Sequence, residues 1–457
     1  MFENGLFIFR RDLRIQDNIG LKEASENCKN VYPIFIFTPE QVTDKNKYKS
    51  DNAIQIMIES LDDLQANVKE HRGNLNCYYG ENDTVVKKLI KKWKIDAVFF
   101  NWDITPYAKK RDDSIKKVCS GLNIECITKQ DYYLYEPGTV FSGSDTPYTK
   151  FTPYYNKVLP LNVEKPTYIR KYNFTNEQDG DISLMDAYLK YTEPNENKIV
   201  NGGREYGEKI LNNIGKFKEY NKTRNDLDTQ TTLLSSYLKF GAISVRETYH
   251  KMKSTLGIKS DLIKQLIWRE FYGQLLFSNP QVLGNPLKEK YAKIKWEKNT
   301  SQLNAWKKGL TGYPIVDAGM RQMNTTGYMH NRARLITASF LIKTLLINWE
   351  EGEKYFAQYL IDYDPASNNG NWQWVASTGA DSQPYFRIFN PWSQSEKHDP
   401  DAEYIKKWIP ELQSVPPKSI HNWDEECEKF KDVKYPKPIV VYEIQRKKAL
   451  DMYKKVV

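Results

Sequence analysis

The chain has 457 residues, 40% of them hydrophobic and 13% aromatic, enough to bury cores for two domains and too apolar for a largely disordered protein. Lys plus Arg exceed Asp plus Glu by nine, a bias that suits a polyanionic partner as well as an ordinary solvated surface. Five cysteines without a CxxC pair, only five histidines and no apolar run of spanning length argue against a disulfide or zinc scaffold and against a membrane span; they predict an intracellular protein, cytoplasmic or nuclear, with no metal.

Residues 5 to 128 alternate apolar runs with helical patterns. GLFIFR (5–10), VYPIFIF (31–37), NLNCYYG (74–80), DAVFFN (96–101) and NIECIT (123–128) are separated by segments such as DNAIQIMIESLDDLQANVKEH. That alternation predicts an α/β domain over residues 1–130, a doubly wound parallel sheet whose ligands would sit beyond the strand C-termini. No GxGxxG or GxxxxGK[ST] motif is present, and Arg10, Arg11 and Arg14, which follow the first strand, read as surface charges.

Residues 131–200, rich in Pro, Gly, Asn and Tyr, read as an ordered interdomain connector, and from 201 to 457 helical periodicity predicts an all-α domain. In TTLLSSYLKFG, Thr231, Thr232 and Ser235 stand where they could cap a helix and hydrogen-bond phosphate oxygens at its N-terminus. GYPIVDAGMRQMNTTGYMHNRARLITASFLIK, from Gly312, reads as a buried helix carrying Arg332 and Arg334. Asp362, Asp364 and the NNGNWQW run from Asn368 to Trp374 follow the next helix. Buried ions need partners, so Arg334 is expected to pair with Asp362; for Arg269 a structural pair with neighbouring Glu270 stands as an alternative that does not exclude a second role.

The segments GYPIVDAGMRQ, NTTGYMHNR, LIDYDPASNNGNWQW and PYFRIFNP resemble the flavin-binding core of the DNA photolyase and cryptochrome family, and matching segments extend from residue 5 to about residue 445. The resemblance implies FAD, folded into a U in the helical domain and held by Tyr220, Thr231, Thr232, Ser235, Arg269, Asn331, Arg334, Asp362, Asp364 and Asn368, the last facing flavin N5. It makes Trp372, Trp349 and Trp296 an electron relay running outward from the flavin. Gln265, Trp268, Tyr328, Leu335 and Trp374 become walls of a lesion cavity, and Arg332, Arg387 and Lys397 become contacts to DNA phosphates. The first domain is the family's antenna domain, onto which KFTPYYNK should pack. Ala108 stands nearest to the glutamate of folate-binding members, so a deazaflavin or a second flavin is expected there before folate.

The implied activity is light-driven repair of cyclobutane pyrimidine dimers in damaged DNA, by a monomer, through electron transfer from excited reduced FAD to a flipped-out dimer. Alternatives are a cryptochrome-type photoreceptor and a (6-4) or single-strand-specific photolyase. The (6-4) enzymes carry His-His-x-x-Arg-His, whereas this chain has His330, Asn331, Arg332, Ala333, Arg334 and Leu335. Gln265 departs from the glutamate usual in bacterial dimer enzymes. The C-terminal run YPKPIVVYEIQRKKALDMYKKVV resembles an ordinary photolyase end, not a signalling tail, which favours an enzyme.

Overall fold

Apart from the edge run at 125–129, the apolar runs of the first 130 residues bury both their faces, and this makes them strands of a covered parallel sheet. In the computed structural model, which describes residues 1–456, these strands are β1 (Phe2–Phe9), β2 (Cys28–Phe37), β3 (Asn76–Tyr79), β4 (Ala97–Asn101) and β5 (Glu125–Lys129). They pair in the order β3-β2-β1-β4-β5, with Gly5 opposite Val31 on one side and Ala97 on the other. Helices α1 (Ile19–Asn27), α2 (Asp51–Glu70), α3 (Asn82–Trp93) and α4 (Pro106–Gly121) make the crossovers. Leu6, Ile8, Val98 and Phe100 pack on α3 and α4, while Phe7, Phe9, Phe35 and Phe99 on the other face join a core that continues into the helical half, through Phe271 to Ile361 and Ala380. The strand order reverses between β1 and β4, which opens a crevice at their C-terminal ends.

Between the sheet and the helical half lie α5 (Phe151–Val158) and α6 (Leu184–Tyr191). Asn173 and Thr175 exchange backbone hydrogen bonds with Val31 (2.7 and 2.9 Å), and α6 packs on α2. The KFTPYYNK segment, expected to pack on the first domain, packs chiefly on the helical half. Its Phe151, Tyr154 and Val158 form one buried helical face that lies on the helix Asp261–Ser278, where Phe151 stacks on Trp268 with centroids 3.6 Å apart and planes at 3°.

The helical half contains α7 (Leu234–Phe240), α8 (Val245–Leu256), α9 (Asp261–Ser278), α10 (Pro314–Thr326), α11 (Asn331–Lys343), α12 (Trp349–Tyr359), α13 (Pro365–Val375), α14 (Pro391–His398) and α15 (Tyr442–Lys454), with shorter helices between them. Among the described residues no helix is long and apolar enough to cross a membrane. The stretch after Gly312 is two helices, not one. Gly327 ends α10 with φ +69°, and the Nδ1 atom of His330 starts α11 by accepting from the Arg332 amide at 3.1 Å. Burial of almost every residue from Ile336 to Lys343 removes the amphipathic pattern that would have marked this break.

Two further expectations fail for physical reasons. The residue before α7 is Leu233 in the left-handed region (φ +57°), held there with its side chain buried, so no hydroxyl caps the helix. The nearest contact is the Leu234 amide to Thr232 Oγ1 at 3.4 Å. Arg10 and Arg14 are not surface charges. Arg10 pairs with Asp112 at 2.5 Å; Asp131 takes Arg14 at 2.5 Å on one oxygen and Arg246 at 2.7 Å on the other, which ties the sheet to α8 through buried ion pairs.

Candidate active site

Helices α11, α12 and α13 and the turn from Leu360 to Asp364 border a cleft of about 550 Å³, open to solvent on one side and lined among others by Arg334, Leu335, Phe356, Asp362, Asn368 and Trp372. α13 forms because Asp364 accepts from the Ser367 amide (2.9 Å) and Pro365 occupies its first turn. Its close seat on α12 requires Gly352, where an added Cβ would lie 2.1 Å from the ring of Trp372.

The charges of this cavity are paired. Arg334 donates from one nitrogen to both oxygens of Asp362 (3.1 and 3.0 Å) and from Nε to the Met329 carbonyl (2.8 Å), and Ser235 donates to the same carboxylate at 2.8 Å. Arg269 does pair with Glu270, at 3.0 Å. Burial opposes the charge on Asp364, yet Arg11, Lys239 and Arg269 hold its carboxyl down at about 2. Asn368 donates its amide N–H to the Glu353 carbonyl at 3.0 Å, so its oxygen remains free to accept. Burial, reinforced by Arg334 and Arg332, pulls His330 down to about 4, so the imidazole is neutral at physiological pH.

Asn331 lies exposed in the first turn of α11 and lines the same cavity. Thr231 meets the Tyr328 hydroxyl at 3.1 Å, and the Arg334 guanidinium stands 5.1 Å from the Tyr328 ring centre. Tyr220 lines a cleft beside Lys218 and Ser260 and lies within electrostatic reach of Tyr328. Gln265 and Trp268, one turn apart on α9, and Trp374 on α13 are half-buried, while Arg387 and Lys397 are exposed. The half-buried Arg332 donates to Asn225 at 2.6 Å. Burial, then the neighbouring charges of Arg224 and Arg387, lowers its pKa.

Trp372 packs edge-on to Phe356 (4.8 Å) and to Trp306 (6.3 Å). Trp349 stands one turn before Gly352 on α12, and Trp296 is brought to that region by the Glu297 amide bonding to the Leu346 carbonyl at 2.9 Å. Trp306 went unnoticed in the sequence because QLNAWKKGL has no motif around it, while Phe151 and Arg224 sit in segments, KFTPYYNK and KEYNKTRND, that gave these two residues no role of their own.

A second cavity, of about 2070 Å³, lies in the crevice at the ends of β1, β2 and β4 and is lined by Arg10, Arg11, Tyr107, Ala108, Arg111 and Lys239. Four buried N–H groups on its arginines, Nε and Nη2 of Arg10, Nε of Arg11 and Nη2 of Arg111, have no hydrogen-bond partner among the described residues. Orphaned guanidinium donors on a cavity wall match a ligand carrying an anionic group.

The family model described as DNA photolyase matches residues 6–168, and that described as the FAD binding domain of DNA photolyase matches residues 262–455. The deoxyribodipyrimidine photo-lyase of Alkalihalophilus pseudofirmus is 37% identical over 98% of this chain and 97% of its own. The chain belongs to the DNA photolyase family. Among solved structures it is similar to the archaeal photolyase of Sulfolobus tokodaii with two FAD molecules (40% identity, TM-score 0.88, 99% of this chain and 100% of that one). It is also similar to the class III photolyase of Agrobacterium tumefaciens (31%, TM-score 0.91, 100% and 98%). FAD is thus the cofactor of this photolyase-family chain, and the cavity fits it: an apolar wall of Leu335 and Phe356, a paired carboxylate at Asp362 and one uncommitted amide oxygen at Asn368.

Proposed function

We propose that the chain repairs cyclobutane pyrimidine dimers in DNA, driven by light. Reduced and light-excited FAD bound in the cleft would lend the dimer an electron and take it back once the ring has split. The protein holds and screens. Asp362, fixed by Arg334 and Ser235, and Asp364 orient the cofactor, and the Asn368 oxygen offers an acceptor for a ring N–H. Trp268, Trp374, Tyr328, Leu335 and Gln265 form the wall for the flipped lesion, where stacking contributes about 1–3 kcal/mol per base. Arg332, Arg387 and Lys397, with Arg224 beside them, hold phosphates in any sequence context.

The observation that carries the dimer over the (6-4) product is the pair His330 and Leu335. Ring opening of a (6-4) product needs a proton donor, and here a buried imidazole held neutral down to about pH 4 stands where a histidine is required, while the last position of the pattern is apolar. Cyclobutane dimers need electron transfer and a snug aromatic pocket. Incubation of the reduced protein under blue light with duplex oligonucleotides carrying each lesion tests this: dimer repair is expected, and repair of the (6-4) product alone overturns it.

The second cavity suits a light-harvesting flavin with an anionic tail, since Ala108 lines it where a folate would want a carboxylate and orphaned arginine N–H groups await an acceptor. More than one flavin per chain is expected on extraction, and Arg111→Ala should leave a single one.

A further inference from the structure

Asp364 spends one carboxylate oxygen on the first turn of α13 and turns the other to Arg11, a residue of the loop after β1, at 3.2 Å. The opposite nitrogen of the same guanidinium reaches Asp103, just past β4, at 3.3 Å. The three side chains are between 7 and 15% exposed, so their attraction is little screened, and the guanidinium also lies 5.1 Å from the centre of the Tyr132 ring. Arg11 and Asp103 line the cavity at the strand ends, whereas Asp364 lines the FAD cavity. A single guanidinium thus forms part of the wall between the two.

Other charged groups around Asp364 do less. Lys239 of α7 makes no ion pair with it; burial and the nearby Arg11 lower that ammonium to about 8, so its charge is partial in weakly basic solution. Arg269 of α9 is committed to Glu270 at 3.0 Å. Tyr133, after β5, and the adjoining Tyr363 are phenols whose pKa values rise, through burial first and Asp364 among the further causes. Glu353 of α12, pushed up by burial to about 7, titrates nearby.

We infer that Arg11, clamped by Asp103, is a positioning residue of the FAD pocket: the α/β domain reaches across to hold the Asp364 carboxylate charged and in place. The inference rests on the proposal that Asp364 contacts the cofactor. Without Arg11, burial would dominate and Asp364 would take up a proton in mildly acidic solution; with it, the carboxylate stays charged far below that range.

The test is the affinity of the apoprotein for FAD, followed by fluorescence quenching from pH 7.5 to 5, with thermal unfolding measured in parallel. Wild type should bind with little change across this window. Arg11→Gln should bind about tenfold more weakly at pH 7.5, as for a lost charge-assisted contact, and weaken further as pH falls. Arg11→Lys should regain the flat profile without the full affinity, and Asp103→Asn should weaken binding by a few-fold. Glu353 titrates in every variant, so the difference between curves isolates Asp364. A flat profile and wild-type affinity in Arg11→Gln overturn the inference, and should that variant not fold, wild-type affinity in Asp103→Asn overturns it instead. If Asp364→Asn binds FAD as wild type does, the assignment of Asp364 itself has failed, which is a separate result.

Discussion

Asn368 gives its amide N–H to the backbone carbonyl of Glu353 at 3.0 Å, and this contact decides which end of the amide faces the FAD cavity. A carbonyl can only accept, so the nitrogen must point to α12 and the oxygen away from it. Asn368→Asp would set a second oxygen against that carbonyl and place negative charge beside an electron-rich reduced cofactor. The midpoint potential of the bound FAD is expected to fall by roughly 60 mV or more, a tenfold change in a one-electron equilibrium. Spectroelectrochemistry checks it; an unchanged potential would show that Asn368 does not face the ring.

Arg334 and Asp362 form the other fixed feature of the cavity. Asp362→Ala leaves a guanidinium whose remaining partner is the Met329 carbonyl and frees Ser235. Breaking such a pair costs about 2–3 kcal/mol, discounted because Arg334 is a quarter exposed. Lower thermal stability together with severe loss of FAD is expected, and denaturation with and without added FAD separates the two effects.

Light reduction of oxidised FAD should depend on Trp372, which lines the cavity and is buried against Gly352 and Phe356. Trp372→Phe is expected to slow photoreduction at least about tenfold while sparing repair by chemically reduced protein, since hopping needs an oxidisable ring and repair does not. Trp306 also meets Trp372 edge-on, so Trp306→Phe tells a branched relay from a single line through Trp349 and Trp296. Unchanged flash-induced reduction in Trp372→Phe would remove the relay.

Arg332 lies near the cations Arg224 and Arg387. Arg332→Ala should weaken binding to damaged duplex of any sequence and reduce the slope of log affinity against log salt by about one. Titrations at several salt concentrations read this directly, and an unaltered slope would place the phosphate path elsewhere.

The acid side of the stability curve should depend on His330. Its native pKa, lowered by burial to about 4, lies below the ordinary value of 6.5, so the unfolded chain binds the extra proton. The stability contributed by the neutral ring is complete above pH 6.5 and is lost as pH falls towards 4, on the order of 3 kcal/mol. Asp317, raised by burial to about 6, acts in the opposite sense and loses its contribution as pH rises from about 4 to 6. His330→Asn should therefore flatten the fall in melting temperature between pH 7 and 5 relative to wild type, and parallel curves would count against a neutral buried imidazole.

The sequence by itself determined the parallel sheet, the helical second half and the pairing of Arg334 with Asp362. Each follows from local periodicity or from the rule that a buried ion needs a counterion, and neither requires the path of the chain. It also pointed to FAD, because NNGNWQW and its neighbours are local motifs. Only the tertiary structure decided where non-local partners meet. Leu233 shows this for conformation: it takes the N-cap position, in the left-handed region with its side chain buried, in place of the hydroxyl cap expected from Thr231, Thr232 and Ser235. Phe151 shows it for packing, since its helix chose Trp268 over the sheet. Arg11 shows it for charge. From the sequence it is one cation among 67, and nothing local says that Asp103 and Asp364, far along the chain, will bury it between two cavities. Burial and distance set the strength of a charge, and both are properties of the folded chain.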